Sequence, residues 1–82
     1  MVEIRFDKKF TKIFSKLKDI STKQKIIKQI IKIIKNPEIG KPMKYDRKGT
    51  RELYVSPFRL SYIYLENKNH IYILDIYHKK KQ

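Results

Sequence analysis

The sequence lacks several residue types on which small proteins often depend. It contains no cysteine and no tryptophan, and only two glycines and two histidines, among 82 residues. Without cysteine, a disulfide framework and thiolate metal ligands are excluded, and two isolated glycines cannot build a nucleotide-binding loop. We therefore expect no metal and no small-molecule cofactor, and a chain of this kind is typical of the reducing cytoplasm.

Acidic residues and long apolar runs are scarce as well. Eight Asp and Glu stand against 21 Lys and Arg, which gives a formal net charge of +13. A phosphate backbone is the partner that fits this charge best, because binding releases condensed counterions. An acidic membrane surface, an acidic protein or the base composition of the source genome would explain the same charge. No apolar run is long enough to span a membrane, and the first residues do not resemble a signal peptide.

The apolar residues that are present predict one folded domain over residues 1–82. Apolar and charged residues alternate over residues 2–6, which predicts a strand buried on one face. Asp7 is a candidate N-cap for a first helix, whose apolar stripe runs at three- and four-residue steps from Phe10 to Ile20.

A second helix is predicted from the spacing of six isoleucines between residues 26 and 34. Ser21 and Gln24 fit a capping box at its start, and Asn36-Pro37 ends it. Its remaining positions are rich in lysine. An alternative role for this segment is an amphipathic basic helix that lies on a membrane surface.

The second half of the chain changes to strand patterns. Residues 37–50 hold both glycines and two of the three prolines, and are predicted to form an irregular connector. Strands follow around residues 52–55, 58–65 and 71–77, and the short turns between them predict an antiparallel meander. The fold class is therefore α+β, in the order β-α-α-β-β-β.

Five cations and two tyrosines gather in the connector and in the strand after it. They are Lys41, Lys44, Tyr45, Arg47, Lys48, Arg51 and Tyr54. Cations hold phosphates and exposed aromatic rings stack on bases, so these residues are candidates for RNA binding. The alternative is a solvated basic loop with a tyrosine packed beneath it.

Two further positions are candidates for chemistry at a phosphodiester. Arg59 begins a predicted strand, so rigid backbone presents its guanidinium for phosphate recognition. The alternative is a structural ion pair with Glu52 or Asp75 on a neighbouring strand. His78 follows the last strand, beside three lysines, and its imidazole can accept the proton of a ribose 2′-hydroxyl. A frayed, solvated tail is the alternative there.

Four segments carry a resemblance that covers essentially the whole chain. They are Gly40-Lys41-Pro42, Gly49-Thr50-Arg51-Glu52-Leu53, Pro57-Phe58-Arg59-Leu60 followed by Tyr62, and Tyr77-His78-Lys79-Lys80. In this order they resemble the RelE/ParE superfamily of toxins from toxin–antitoxin modules.

The resemblance implies a two-helix hairpin packed on a small curved antiparallel sheet. It also implies, for many members, an endoribonuclease that cuts mRNA on the ribosome without a metal. In that reaction a 2′-hydroxyl attacks the adjacent phosphodiester. Arg59 matches the family's catalytic arginine, Lys79 and Lys80 match its C-terminal basic cluster, and His78 lies where several members carry a functional histidine. The implied partners are a cognate antitoxin, the ribosome and mRNA, and no membrane.

The sequence departs from the family pattern at two places. Met43-Lys44-Tyr45 stands where some relatives carry a carboxylate base, and no tyrosine follows the basic cluster. We therefore interpret His78 as the base. The prediction is a type II toxin that acts as an mRNA endonuclease; the alternatives are a ParE-like inhibitor of DNA gyrase and a degenerate toxin that only binds its antitoxin.

Overall fold

A computed structural model describes residues 2–78, and the predicted α+β class and element order are confirmed within them. The elements are β1 (Glu3–Phe6), α1 (Lys8–Lys16), α2 (Ile20–Lys35), β2 (Lys41–Pro42), β3 (Arg51–Val55), β4 (Phe58–Leu65) and β5 (His70–His78). Short 3-10 helices occupy Tyr45–Arg47 and Glu66–Lys68. The predicted connector thus contains a two-residue strand, β2, and one helical turn.

The five strands form one sheet in the order β1-β5-β4-β3-β2. Strands β3, β4 and β5 form the predicted antiparallel meander, and β2 adds to it in the same sense. Strand β1 instead runs parallel to β5, with Ile4 opposite Ile71, so the sheet is mixed rather than wholly antiparallel. The two helices connect β1 to the far edge of the sheet, and no hairpin turn forces β1 to run against its neighbour.

Each helix begins directly after an aspartate that caps its first turn. The Asp7 carboxylate accepts a hydrogen bond from the Lys9 amide at 2.9 Å, as an N-cap does, which confirms the predicted start of α1. The second start was predicted wrongly. Asp19, not Ser21, caps α2: its carboxylate accepts from the Ser21 amide at 3.1 Å and from the Thr22 hydroxyl at 2.7 Å. Ile20 accordingly opens α2 and is 70% exposed, instead of ending the stripe of α1.

The core lies between the helices and one face of the sheet. Its buried members are Phe10 from α1, Ile26, Ile30 and Ile33 from α2, and Val55, Leu60, Tyr62, Ile71, Ile73 and Ile76 from the strands. Because successive strand residues point to opposite faces, each of these strands also sends side chains to the other face. That face carries no helix in the part of the chain that the structure describes.

Tyr62 links this core to the backbone that follows α2. Its side chain is fully buried, its hydroxyl donates to the Pro37 carbonyl at 2.7 Å and accepts from the Gly40 amide at 2.8 Å. A Cβ atom on Gly40 would lie 2.6 Å from the Tyr62 hydroxyl oxygen, so this close approach requires glycine. Arg51 supports the same segment by donating to the carbonyls of Glu38 and Gly40, at 3.0 and 2.8 Å.

We predict that Tyr62→Phe lowers the free energy of unfolding by about 1–3 kcal/mol, because it leaves two backbone groups without their partner. Chemical denaturation measures this loss. Tyr45→Phe is the matched control, since Tyr45 is 90% exposed and its hydroxyl contributes nothing to the core. Equal stabilities for the two variants would contradict the assigned role of the Tyr62 hydroxyl.

Candidate phosphate-binding site

The sheet face away from the helices carries a cluster of polar and aromatic side chains from β3, β4 and β5. Its members are Glu52, Tyr54, Arg59, Ser61, Asp75 and Tyr77. The register brings them together, because Tyr54 lies opposite Arg59 and Arg59 opposite Tyr77. Directly cross-strand residues share a face of the sheet. We call this surface the open face.

Glu52 is the buried centre of the open face. Its side chain is only 3% exposed. Its Oε2 accepts a hydrogen bond from Arg47 Nη1 at 2.9 Å and another from the Tyr77 hydroxyl, and its Oε1 accepts from Arg59 Nη1 at 3.4 Å. A buried carboxylate is tolerated only when it is paired and hydrogen-bonded. The two arginines and the tyrosine meet that requirement.

Arg47 reaches this centre from the 3-10 turn that precedes β3. It donates to the Tyr77 hydroxyl as well as to Glu52, and its guanidinium carbon lies 5.0 Å from the centre of the Tyr77 ring. This is the distance at which a cation is attracted to an aromatic face. Arg47 is therefore held both by the aromatic ring and hydroxyl of Tyr77 and by the carboxylate of Glu52, although 46% of its side chain is exposed.

The network formed by Arg47, Glu52, Arg59 and Tyr77 lies beside a second carboxylate. Arg47 and Arg59 contribute two positive charges, and Glu52 and, on the same face, Asp75 contribute two negative charges. Burial, followed by the hydrogen bond to Glu52, raises the pKa of Tyr77, and this phenol stays neutral near pH 7. The hydrogen bond to Tyr77 in turn raises the pKa of Arg47, which stays charged. The open face thus presents two charged guanidiniums next to the buried carboxylate.

Arg59 is held less completely than Arg47. Its side chain is 29% exposed, and Glu52 is its hydrogen-bond partner among residues 2–78. Its Nε is buried and has no partner there. A guanidinium has five N–H donors, so Arg59 keeps donors that the fold does not use.

A cleft of about 350 Å³ adjoins the network on the same face. Its lining includes two cations, Lys9 and Arg47, and three aspartates, Asp7, Asp46 and Asp75, so it carries more negative than positive charge.

The predicted RNA-binding residues divide between two regions. Arg47 and Tyr54 belong to the open face, and Lys41 lies opposite Glu52 in β2 and is exposed. Lys44 and Lys48 are exposed in the loop between β2 and β3.

Two of the predicted RNA-binding residues, Tyr45 and Arg51, are not placed as expected. Tyr45 is 90% exposed, so no tyrosine packs beneath the loop as the alternative had it. Arg51 lies opposite Tyr62, on the helix-covered face, and is used to hold the segment after α2. Strand alternation explains this placement, because Arg51 and Glu52 are successive residues.

His78 does not join Arg59. It lies opposite Phe58, and the two rings meet edge to face with centroids 5.8 Å apart. Since Phe58 and Arg59 are successive residues, His78 lies on the helix-covered face. The predicted pairing of the two residues at one phosphate is thus not assembled in this structure. Lys79 and Lys80 lie outside the described residues.

Sequence reasoning considered Glu52 only as a structural partner for Arg59 and did not single out Tyr77. The pair with Glu52 forms, at 3.4 Å, and no pair with Asp75 is found in residues 2–78. The signal for Glu52 was its position in a strand among apolar residues, where an acid needs cationic partners. Nothing in the spacing placed Arg47, five residues away in a loop, beside it.

Two negative findings apply to residues 2–78. No cluster of three or more His, Asp or Glu residues has the arrangement of a metal site. No helix there combines the length and apolar character needed to cross a membrane.

Residues 4–82 match the family model described as the ParE toxin of the type II toxin–antitoxin system parDE. The chain belongs to this family. It is a toxin of a type II toxin–antitoxin system and a member of the RelE/ParE superfamily, as the resemblance predicted. A search of curated proteins finds no match.

Solved structures share the fold of this toxin at low sequence identity. The YoeB/ParE toxin from Agrobacterium tumefaciens superposes with a TM-score of 0.84 at 14% identity, covering 94% of this chain and 98% of that chain. The archaeal RelE–RelB complex from Pyrococcus horikoshii gives a TM-score of 0.79 at 14% identity, covering 99% of this chain and 98% of that chain. The E. coli RelBE toxin–antitoxin complex gives a TM-score of 0.76 at 18% identity, covering 93% of this chain and 94% of that chain. These likenesses establish the fold.

We predict that the free energy of unfolding falls as the pH rises above the ordinary tyrosine value of about 10. The pKa values of Tyr62 and Tyr77 are raised in the folded state, mainly by burial, so folding favours their neutral forms. Their contribution is complete below the unfolded pKa and is lost as the pH rises through the folded one. Denaturation at increasing pH measures the fall. Tyr77→Phe should reduce its slope, and a slope equal to that of the original chain would contradict the assignment.

Proposed function

We propose that this toxin is a metal-independent endonuclease that cuts mRNA on the ribosome. The observation that supports it is the pair of guanidiniums on the open face, where a buried carboxylate holds a partly exposed Arg59 beside Arg47. A phosphodiester under attack gains negative charge, and preoriented donors stabilise that charge better than mobile ones.

In the proposed reaction a ribose 2′-oxygen forms a bond to phosphorus as the bond to the 5′-oxygen breaks. The 2′-hydroxyl gives up its proton to a base, and the leaving oxygen takes one. Arg59 stabilises the phosphorane-like transition state. The proposed roles of His78 as the base, and of Lys79 and Lys80 beside it, rest on the family resemblance alone, because His78 lies on the face of the sheet opposite Arg59.

The loop between β2 and β3 supports RNA binding next to this site. Lys44 and Lys48 are exposed there, Lys41 is exposed in the adjoining strand β2, and Tyr45 offers an aromatic ring on which a base can stack. Tyr54, 54% exposed opposite Arg59, offers a second ring on the open face. The lysines of this loop and of β2 would steer a polyanion toward the site.

Inhibition of DNA gyrase is the second candidate function, and two observations favour it. The matching family model is that of ParE toxins, and His78 does not share a face with Arg59. In this case Arg59 would be structural, and the open face would bind a protein.

We predict that expression of this toxin in cells produces ribosome-phased cuts in mRNA, and that Arg59→Ala removes them. The fold should survive, because Glu52 keeps Arg47 and Tyr77. Mapping of mRNA 5′ ends, with plasmid supercoiling measured in parallel, provides the readout. Arg5→Ala is the control, since Arg5 pairs with Glu3 on the edge strand β1. Supercoiling defects without cuts would replace the endonuclease with the gyrase inhibitor.

We also propose that the antitoxin covers the outer side of the two helices. Phe6, Phe10, Phe14 and Ile27 line an apolar groove of about 260 Å³ there. Ile27, Ile31 and Ile34 are each more than a third exposed along α2. Lysines flank this stripe, so an acidic amphipathic segment complements it in both polarity and charge.

We predict that Ile31→Lys weakens the complex with the antitoxin at least tenfold without unfolding the toxin, because Ile31 is 46% exposed and lies outside the core. Co-purification followed by calorimetric titration measures the affinity. Lys18→Gln, at an exposed position before α2, serves as the control. An unchanged affinity would place the antitoxin elsewhere.

A further inference from the structure

We infer that Asp75 and Ser61 recognise the exocyclic amino group of an RNA base, so that this toxin binds amino-bearing bases more tightly than uracil. The inference rests on the proposed function, which brings RNA to the open face. It adds a specificity-determining site that is separate from the two arginines and that reads a base instead of a phosphate.

The cleft beside the arginines is unsuited to a phosphate. Three aspartates line it, Asp7, Asp46 and Asp75, against the two cations Lys9 and Arg47. A net negative charge repels a phosphodiester and favours N–H donors. Among residues 2–78 these aspartates are not grouped as the ligands of a metal ion. In RNA only the bases carry N–H donors, so a base edge is the group that complements the cleft.

Ser61 places a buried hydroxyl in the lining of the cleft. The residue is 9% exposed, and its hydroxyl makes no hydrogen bond within residues 2–78. The register explains its position, because Ser61 lies opposite Glu52 on one side and opposite Asp75 on the other. Buried polar groups nearly always have a partner. A buried, unpaired hydroxyl that lines a cleft therefore indicates that a ligand supplies the partner.

Asp75 provides acceptor atoms beside this hydroxyl. Its Oδ1 accepts a hydrogen bond from the Ile76 amide at 2.8 Å, which orients the carboxylate. The residue is half-buried, and no cation in residues 2–78 pairs with it. A carboxylate has about four acceptor positions, so Asp75 keeps acceptors that the fold does not use.

An exocyclic amine complements these two groups better than any part of uracil does. The amino groups of cytosine, adenine and guanine carry two N–H donors next to a ring nitrogen that accepts. The donors match the Asp75 carboxylate, and the ring nitrogen matches the Ser61 hydroxyl. Uracil has one N–H between two carbonyl oxygens, and these oxygens would face the carboxylates of the cleft.

The cleft lies close enough to the arginines for one nucleotide to reach both. Ser61 follows Arg59 by two residues in β4, so their side chains leave the same face of the sheet about 7 Å apart. Arg47 contacts Glu52 and also lines the cleft. The cleft volume of about 350 Å³ falls within the range of small-ligand sites, about 300–1,000 Å³. A nucleotide whose phosphate contacts Arg59 can therefore place its base in the cleft.

The test compares hexamers of 2′-O-methylcytidine and of 2′-O-methyluridine, which have equal charge and cannot be cut through a 2′-hydroxyl. Their dissociation constants are measured for the original chain, Asp75→Asn, Ser61→Ala and the control Glu66→Gln. Asp75→Asn keeps an acceptor for the Ile76 amide, and Ser61→Ala removes a hydroxyl without a partner in the described residues. Glu66→Gln raises the net charge by one, as Asp75→Asn does, at an exposed position outside the cleft.

The original chain should bind the cytidine hexamer about tenfold more tightly, because a hydrogen bond to a carboxylate distinguishes the two bases. Asp75→Asn should reduce this ratio to about one or invert it, since its amide can donate to a uracil carbonyl. Ser61→Ala should reduce the ratio by about threefold. Glu66→Gln should strengthen the binding of both hexamers equally and keep the ratio.

Equal affinities of the original chain for the two hexamers would overturn the inference, as expected if the cleft holds a cationic side chain of a protein partner instead. A ratio that is unchanged by Asp75→Asn or by Ser61→Ala would overturn it as well, because the discrimination would then arise outside the cleft.

Mapped mRNA 5′ ends separate this inference from the proposed function. Discrimination between the hexamers without any cut in mRNA would reject the endonuclease and leave the base site. Cuts that occur beside uracil as often as beside other bases, together with equal hexamer affinities, would reject the base site and leave the endonuclease.

Discussion

The burial of one carboxylate determines most of what the open face can do. Glu52 lies in β3, between β4 and the short edge strand β2, and its buried charge must be balanced where it stands. The balance comes from a loop, through Arg47, and from β4 and β5, through Arg59 and Tyr77. A requirement of stability therefore collects side chains from separate parts of the sequence at one place.

The other constraint is the alternation of side chains along β3, β4 and β5. It sends Leu60, Tyr62 and Ile76 to the core and leaves their neighbours for the open face. The same rule separates Arg59 from His78, because their cross-strand partners, Tyr77 and Phe58, lie on opposite faces. It also turns Arg51 toward the segment after α2. Proximity in the sequence is thus a poor guide to proximity in the site.

Much of the fold followed from local patterns. Helical and strand periodicities predicted both helices and the final three strands, because burial of one face imposes those periods directly. The start of α2 was missed because two possible caps, Asp19 and Ser21, stand two residues apart, and the spacing of the isoleucines does not choose between them. The parallel pairing of β1 depends on contacts between the two ends of the chain, which no local pattern contains.

The site was less accessible to prediction than the fold. Arg59 was identified from its position at a strand start and from the family resemblance. Its dependence on Glu52, and the arrival of Arg47, required the register of three strands and the path of a loop. The conformation of that loop is set by a turn at Tyr45, where φ is 59°, and such a value is hard to foresee for a residue other than glycine.

The helices cover one face of the sheet, and this arrangement affects how toxins of this fold can diversify. The face that packs against the helices fixes the core, whereas the open face has no further layer in the described residues. Substitutions among Tyr54, Ser61 and Asp75 can therefore alter what the open face binds without rebuilding the core. The outer side of the helices is likewise remote from those positions. On the proposed assignment of the antitoxin to the helices and of the target to the open face, the two binding surfaces can change independently of each other.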